Sequence, residues 1–232
     1  MIPRDQQRLV VLLSGRGSNF EALQRAATEG WLGASIAGII SDQSSARGLE
    51  LAREHGIDAV TVDRSSHADR NAFEASLTAA IDGFEPVYIV LAGFMRVLGT
   101  GFVEHYAGRM INIHPSLLPR HTGLNTHQKV LDAGESEHGA SVHVVTPALD
   151  RGPVISQVRI AVRPDDTASG LADRLLPQEH RLLPATMALL LRSRVEVGHE
   201  RIRIDGHELD RPCELDVDLD RRGFRVRQQG AR

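Results

Sequence analysis

Apolar positions along this chain follow two alternating rhythms. Short continuous runs at Leu9–Leu13 (LVVLL), Ile36–Ser41, Ala59–Val62 and Val87–Leu91 read as strands buried on both faces. Between them, apolar residues recur at helical spacing. Phe20, Leu23 and Ala27 mark one helix, Ala46–His55 a second that Gly56 closes, and Ala68–Asp82 a third with Phe73, Leu77 and Ile81 on its apolar face. Arg109-Met110-Ile111 starts another strand, Thr126–Ala133 a short helix, and Ser141–Val145 and Val154–Val162 two more strands. From Thr167 to Arg194 the pattern is helical, and Pro177 and Pro184 each predict a kink or break there. Beyond Val195 the chain alternates around Asp205-Gly206, a hairpin signal with Val195, Val197, Ile202 and Ile204 as apolar partners. The alternation predicts an α/β fold built on a single doubly wound, mostly parallel sheet. Residues 1–194 form its domain, and 195–232 a carboxyl-terminal hairpin and tail packed on that domain.

Composition narrows the class. At 232 residues and 41% hydrophobic content the chain can bury an ordinary core. Aromatic residues make up only 4% and the net charge is -3, which argues against stacking on bases or an electrostatic grip on nucleic acid. One cysteine, Cys213, leaves no internal disulfide and no cysteine-based zinc site. No apolar run reaches the roughly 18–20 residues that span a bilayer, and MIPRDQQR has no signal-peptide core. The expectation is a cytoplasmic protein without membrane or nucleic-acid partners, and a homodimer stays open.

Two loops carry the candidate chemistry. Ser14-Gly15-Arg16-Gly17-Ser18-Asn19 joins a strand to a helix start, where unpaired helix N–H groups converge and glycines let a phosphate approach. It departs from the full dinucleotide and nucleoside-triphosphate patterns, and a plain glycine turn with an N-cap is the other reading. Asn112-Ile113-His114-Pro115-Ser116-Leu117-Leu118-Pro119 follows a strand, so Asn112 and His114 share one face while the chain stays extended. Ligands of open α/β sheets bind at such carboxyl ends.

NIHPSLLP, with LAGFMRVL (Leu91–Leu98) before it and HGASVHVVTPALDRGPVI (His138–Ile155) after it, resembles the folate-dependent formyltransferases. The likeness runs from about Leu9 to about Leu191. SGRGSN narrows it to the branch that formylates glycinamide ribonucleotide in purine synthesis. The resemblance implies a Rossmann-like formyltransferase fold, with 10-formyltetrahydrofolate and glycinamide ribonucleotide as small-molecule partners and no metal. It implies catalytic roles for Asn112, His114 and Asp150, and a phosphate site at Gly17, Ser18 and Asn19. Glu179 would hold the substrate amine. Arg70, Met95, Arg96, Val97 and Leu98, with Asn112 and Thr146, Pro147, Ala148, Leu149 and Asp150, would bind the folate. His143 reads as a structural histidine near the site. The chain departs from relatives at Leu176, where some have glutamine, and at His121-Thr122 and Asn125.

In the implied reaction the amine attacks the formyl carbon while Asn112 and a protonated His114 stabilise the oxyanion. His114 then protonates the departing folate nitrogen, and Asp150 holds the imidazolium. The rival is a 10-formyltetrahydrofolate hydrolase, which uses water as acceptor and usually carries an amino-terminal regulatory domain. Only about eight residues precede the first strand here. Transfer to methionyl-tRNA would call for a basic RNA-binding extension, which the chain does not show.

Overall fold

The computed structural model describes residues 7–198 and 201–226, so the end of the expected tail, 227–232, lies outside it. The chain divides into two compact units, Met1–Asn112 with Val145–Pro147, and Ile113–Val144 with Ala148–Arg232. In the first, β1 (Arg8–Leu13), β2 (Ser35–Ser41), β3 (Asp58–Thr61) and β4 (Tyr88–Leu91) form a parallel sheet in the order β4-β1-β2-β3. The first residues of β5 (Met110–His114) pair in parallel beyond β4, Leu91 opposite Asn112. Helices α1 (Ser18–Thr28), α2 (Arg47–Glu54), α3 (Arg70–Asp82) and α4 (Thr100–His105) connect these strands. The apolar runs become the core because both faces of a parallel sheet are covered: Leu9 through Leu13 are all fully buried. Val10, Leu12, Ile40, Ile89 and Leu91 pack with Phe73, Leu77 and Ile81 of α3.

The second unit contains α5 (Thr126–Asp132), β6 (Glu137–Val144), β7 (Val154–Ala161) and the long α6 (Ala168–Arg192). Strands β6 and β7 are antiparallel, with the last residues of β5 beside β6. Beyond β7 the two-residue β11 (Cys213–Glu214) adds a parallel edge. Gly139 of β6 has a packing reason, since a Cβ there would meet Val158 O at 2.0 Å and Leu117 at 2.6 Å. The mostly parallel sheet with flanking helices is the one expected.

Three local expectations change. Pro177 and Pro184 do not break the helix: α6 runs through both. Each proline removes one backbone hydrogen bond, at a cost of about 3 kcal/mol. Leu182, Leu183, Ala185, Met187 and Ala188 are fully buried, and that packing offsets the loss. Asp205-Gly206 does form a two-residue turn, with φ of 54° and 82°, as a type I′ turn requires. It joins β9 (Ile202–Ile204) to β10 (His207–Glu208), however. β8 (Val195–Val197) pairs with β9, Val195 opposite Ile204 and Val197 opposite Ile202, so the expected hairpin partners do meet, and β10 extends the hairpin into a three-stranded sheet. Finally, α4 and β11 had no periodic signal, each being too short to show one.

Candidate active site

The loop after β1 is shaped by backbone. Gly17 is the N-cap of α1 at φ 82°, without a side-chain cap, and its carbonyl accepts from Glu21 N at 2.9 Å. A Cβ on Gly17 would lie 2.7 Å from Gly48 Cα, so this glycine serves the approach of α2. Gly15 differs, with nothing within 4 Å of its absent Cβ. The uncapped N–H groups that open α1 and the free space at Gly15 together suit an anion. Ser18 and Asn19, half-buried in the first turn, flank it.

The segment Met95–Leu98 leaves the end of β4 and is tied down within the same unit. Met95 N donates to Ser14 Oγ at 2.8 Å, and Arg70 Nη2 donates to Val97 O at 2.9 Å. Glu74 accepts from Gly99 N at 2.7 Å, capping the entry to α4. Met95 and Val97 are 68% and 60% exposed, whereas Leu98 packs against the core. Two apolar side chains held outward on a clamped loop could wall a flat ring. Sequence reasoning missed Asp42, whose carboxylate is buried at the end of β2 and accepts from Arg96 Nε at 2.5 Å. Its only signal was an acidic residue directly after an apolar strand.

The second loop is shaped by side chains. Asn112 and His114 lie two apart on β5, the first half-buried and the second buried. His114 Nε2 is 3.1 Å from the His121 carbonyl, which can only accept, so that nitrogen carries hydrogen. Nδ1 faces Asp150 Oδ2 at 3.7 Å, an ion-pair distance too long for a hydrogen bond. That face is attractive only when the ring is an imidazolium, because a neutral Nδ1 would turn a lone pair toward the carboxylate. Asp150, at φ 53°, also accepts from Gly123 N at 2.8 Å.

His143, expected as a structural histidine near the site, is buried beside Asp150. Its Nε2 lies 3.8 Å from Asp150 Oδ1, and its Nδ1 is 3.0 Å from Val144 O. Burial pushes its pKa down to about 4, so it is neutral at physiological pH. Asp150 thus sits between two histidines, and burial keeps one of them, His143, neutral.

A buried hydroxyl fixes the Pro115–Pro119 segment. Ser141 Oγ donates to Ser116 O at 2.7 Å and accepts from Leu118 N at 3.0 Å and Gln157 Nε2 at 2.9 Å. Thr146, Pro147, Ala148 and Leu149 form the turn before Asp150, with Leu149 exposed. Glu179 lies half-buried on α6, three residues after Leu176 on the same helix. Among the described residues, no group of three or more histidine, cysteine or acidic side chains is placed to hold a metal ion, and no helix is long and apolar enough to cross a membrane.

The formyl transferase family model matches residues 7–187. Phosphoribosylglycinamide formyltransferase of Escherichia coli is 41% identical over 201 residues, covering 87% of this chain and 95% of that protein. The solved phosphoribosylglycinamide formyltransferase of Coxiella burnetii superposes with a TM-score of 0.85 at 42% identity, over 90% of this chain and 98% of its own. A formyltetrahydrofolate deformylase from Burkholderia mallei has a TM-score of 0.76 at 26% identity, over 87% and 70%. The matched span takes in both loops, β1 through β7 and most of α6, and the chain belongs to the formyl transferase family.

Proposed function

We propose that this enzyme transfers the formyl group of 10-formyltetrahydrofolate to the amine of 5-phosphoribosyl-glycinamide, a step of purine synthesis. The observation that carries the reading is the buried His114, with Nε2–H on a carbonyl and Nδ1 toward Asp150. In this reading the loop Gly15–Asn19 receives the ribose phosphate on the backbone N–H groups that open α1. Met95 and Val97 flank the pterin, with Leu98, Thr146, Pro147, Ala148 and Leu149 completing the folate contacts. Arg70 and Arg96 count among the folate contacts, and Glu179 holds the glycinamide amine.

The amine nitrogen attacks the formyl carbon, and negative charge gathers on the formyl oxygen. The Asn112 amide donates to that oxygen, a contribution of about 2.7–4 kcal/mol for one well-placed donor. The Nδ1–H of His114, not spent in a hydrogen bond to Asp150, supplies the second donor and then the proton that the departing folate nitrogen takes. The amine passes its proton to the neutral imidazole left at His114 as the tetrahedral intermediate collapses, which restores the imidazolium and leaves tetrahydrofolate and the formylated ribonucleotide. Asp150 keeps the imidazolium oriented and balances its charge.

Water could replace the amine in the same constellation, which is the deformylase alternative. Product formation from 10-formyltetrahydrofolate, with and without the ribonucleotide, separates the two. The expected result is slow turnover alone and acceleration by orders of magnitude on adding the acceptor. Equal rates in both mixtures would replace the transferase with the hydrolase.

A further inference from the structure

His114 is fixed at Cα by β5, but its ring still needs both side-chain torsions set. One restraint is the ion pair to Asp150; the other is the His121 carbonyl. That carbonyl sits on a residue with φ 52°, a left-handed conformation that a side chain with a β-carbon disfavours. Something must hold it there, and the contacts of the loop show what does. His121 Nε2 donates to Glu135 Oε1 at 2.8 Å. The other carboxylate oxygen, Oε2, takes Nη1 of Arg120, the preceding residue. Arg120 O in turn accepts from Ser116 Oγ at 2.8 Å, and its N donates to Leu117 O at 3.1 Å. A single carboxylate just beyond α5 therefore grips two consecutive residues of the loop that carries the acceptor for His114.

We propose that Glu135 and the side chain of His121 are positioning residues for His114, acting through the His121 carbonyl. The proposal rests on the catalytic role given to His114 above. Residue 121 departs from the commoner sequence, and the departing side chain supplies its own anchor. Glu135 is half-buried and in contact with a solvated arginine, so the pair with Arg120 alone would contribute little. The bond from His121 is the more enclosed of the two, and it holds the Glu135 carboxyl below the usual carboxylate range. Releasing it leaves the strained residue free to relax, and the His114 ring loses the acceptor on Nε2.

The test compares the full-length parent with Glu135→Ala, Glu135→Gln and His121→Ala. Glu135→Ala and His121→Ala should each lower kcat about tenfold, in line with the cost of displacing a reacting group by a fraction of an ångström. KM for both substrates should stay within about twofold, because the loop is not asked to bind either one. Glu135→Gln keeps an acceptor for His121 and should recover most of the rate. The double variant should be no slower than either single one, since both act on one path. An independent readout is the His114 Nε2–H proton, followed by NMR of 15N-labelled histidine. It should exchange slowly in the parent and rapidly in Glu135→Ala. Parental kcat in both alanine variants, a loss confined to KM, or an unchanged Nε2–H signal would each overturn the proposal. A parent that forms no formylated ribonucleotide would instead overturn the functional reading, and the NMR arm would still decide this one.

Discussion

The loop after β1 and the loop after β5 both leave the carboxyl end of a parallel strand, yet they are made of different material. Ser14–Asn19 offers backbone: uncapped N–H groups, a glycine at positive φ, and open space beside Gly15. The loop after β5 offers side chains, and almost none is held by its near neighbours. His114 depends on His121 O and Asp150, and Asp150 on Gly123 N and the proximity of His143. Backbone donors suit a fixed anion that only has to be recognised. Side chains suit a centre where charge appears and a proton moves, because only they can change protonation state. The two loops should therefore fail differently when altered.

The largest expected effect is at Asp150. Asp150→Asn keeps an acceptor for Gly123 N and removes the charge facing His114. It should lower kcat about 10²-fold or more while leaving both KM values nearly unchanged, as expected for lost acid–base help. Steady-state kinetics decide it, and a kcat within about twofold of the parent would reduce Asp150 to a turn residue.

Next come the two glycines of the first loop. Gly15→Ala meets no atom, so the fold should tolerate it, while its methyl group occupies the open space proposed above for the phosphate. KM for the ribonucleotide should rise about tenfold, the scale of one lost charge-assisted hydrogen bond, with the folate KM and the melting temperature unchanged. Gly17→Ala should instead cost stability first, by about 1–3 kcal/mol, because φ 82° and Gly48 Cα both oppose a side chain. Equal behaviour of the two variants would erase the distinction drawn between them.

Acid should act on the second unit. Burial pushes His138 and His143 down to about 4 from an ordinary 6.5. The unfolded chain then takes up protons before the native state does. Stability is full above about pH 6.5 and falls as the pH drops toward 4, by up to about 1.4 kcal/mol per unit for each histidine. Nδ1 of His138 is buried without a partner among the described residues, and the nearby Glu135 only partly offsets the desolvation. Urea midpoints between pH 7.5 and 4.5 should show the slope, and His138→Gln should flatten part of it. A parent and variant with identical slopes would show that His138 takes no part.

The smallest effect belongs to Leu176→Gln, which restores a polar side chain three residues before Glu179 on α6. It should move the ribonucleotide KM by less than about threefold, since a half-exposed amide adds little net energy. A larger drop would make this edge of the site more demanding than the structure suggests.

The strands of the first unit and the glycine loop were legible because their signals are local. LVVLL can only be a doubly covered strand, and Gly17 at a strand-to-helix turn forecasts its own positive φ. Asn112 and His114 were legible as a pair through the two-residue period of a strand. Asp42 under Arg96 and Glu135 under His121 were not. Each is an ordinary polar residue in sequence whose partner lies well away along the chain. The uninterrupted α6 was misread for a related reason: a proline's local cost is visible in the sequence, and the packing that offsets it is not.

The sequence by itself determined the order of the longer strands and helices, the parallel α/β architecture, the places where loops meet strand ends, and the family motif with its Asn112, His114 and Asp150. Periodicity and backbone stereochemistry act over a few residues, so they can be read directly. Only the tertiary structure decided which glycine faces open space and which faces α2. It alone turned Met95 and Val97 outward, put His114 between a carbonyl and a carboxylate, and kept His143 neutral by burial. Those outcomes depend on desolvation and on contacts between distant segments. Neither exists until the chain has folded.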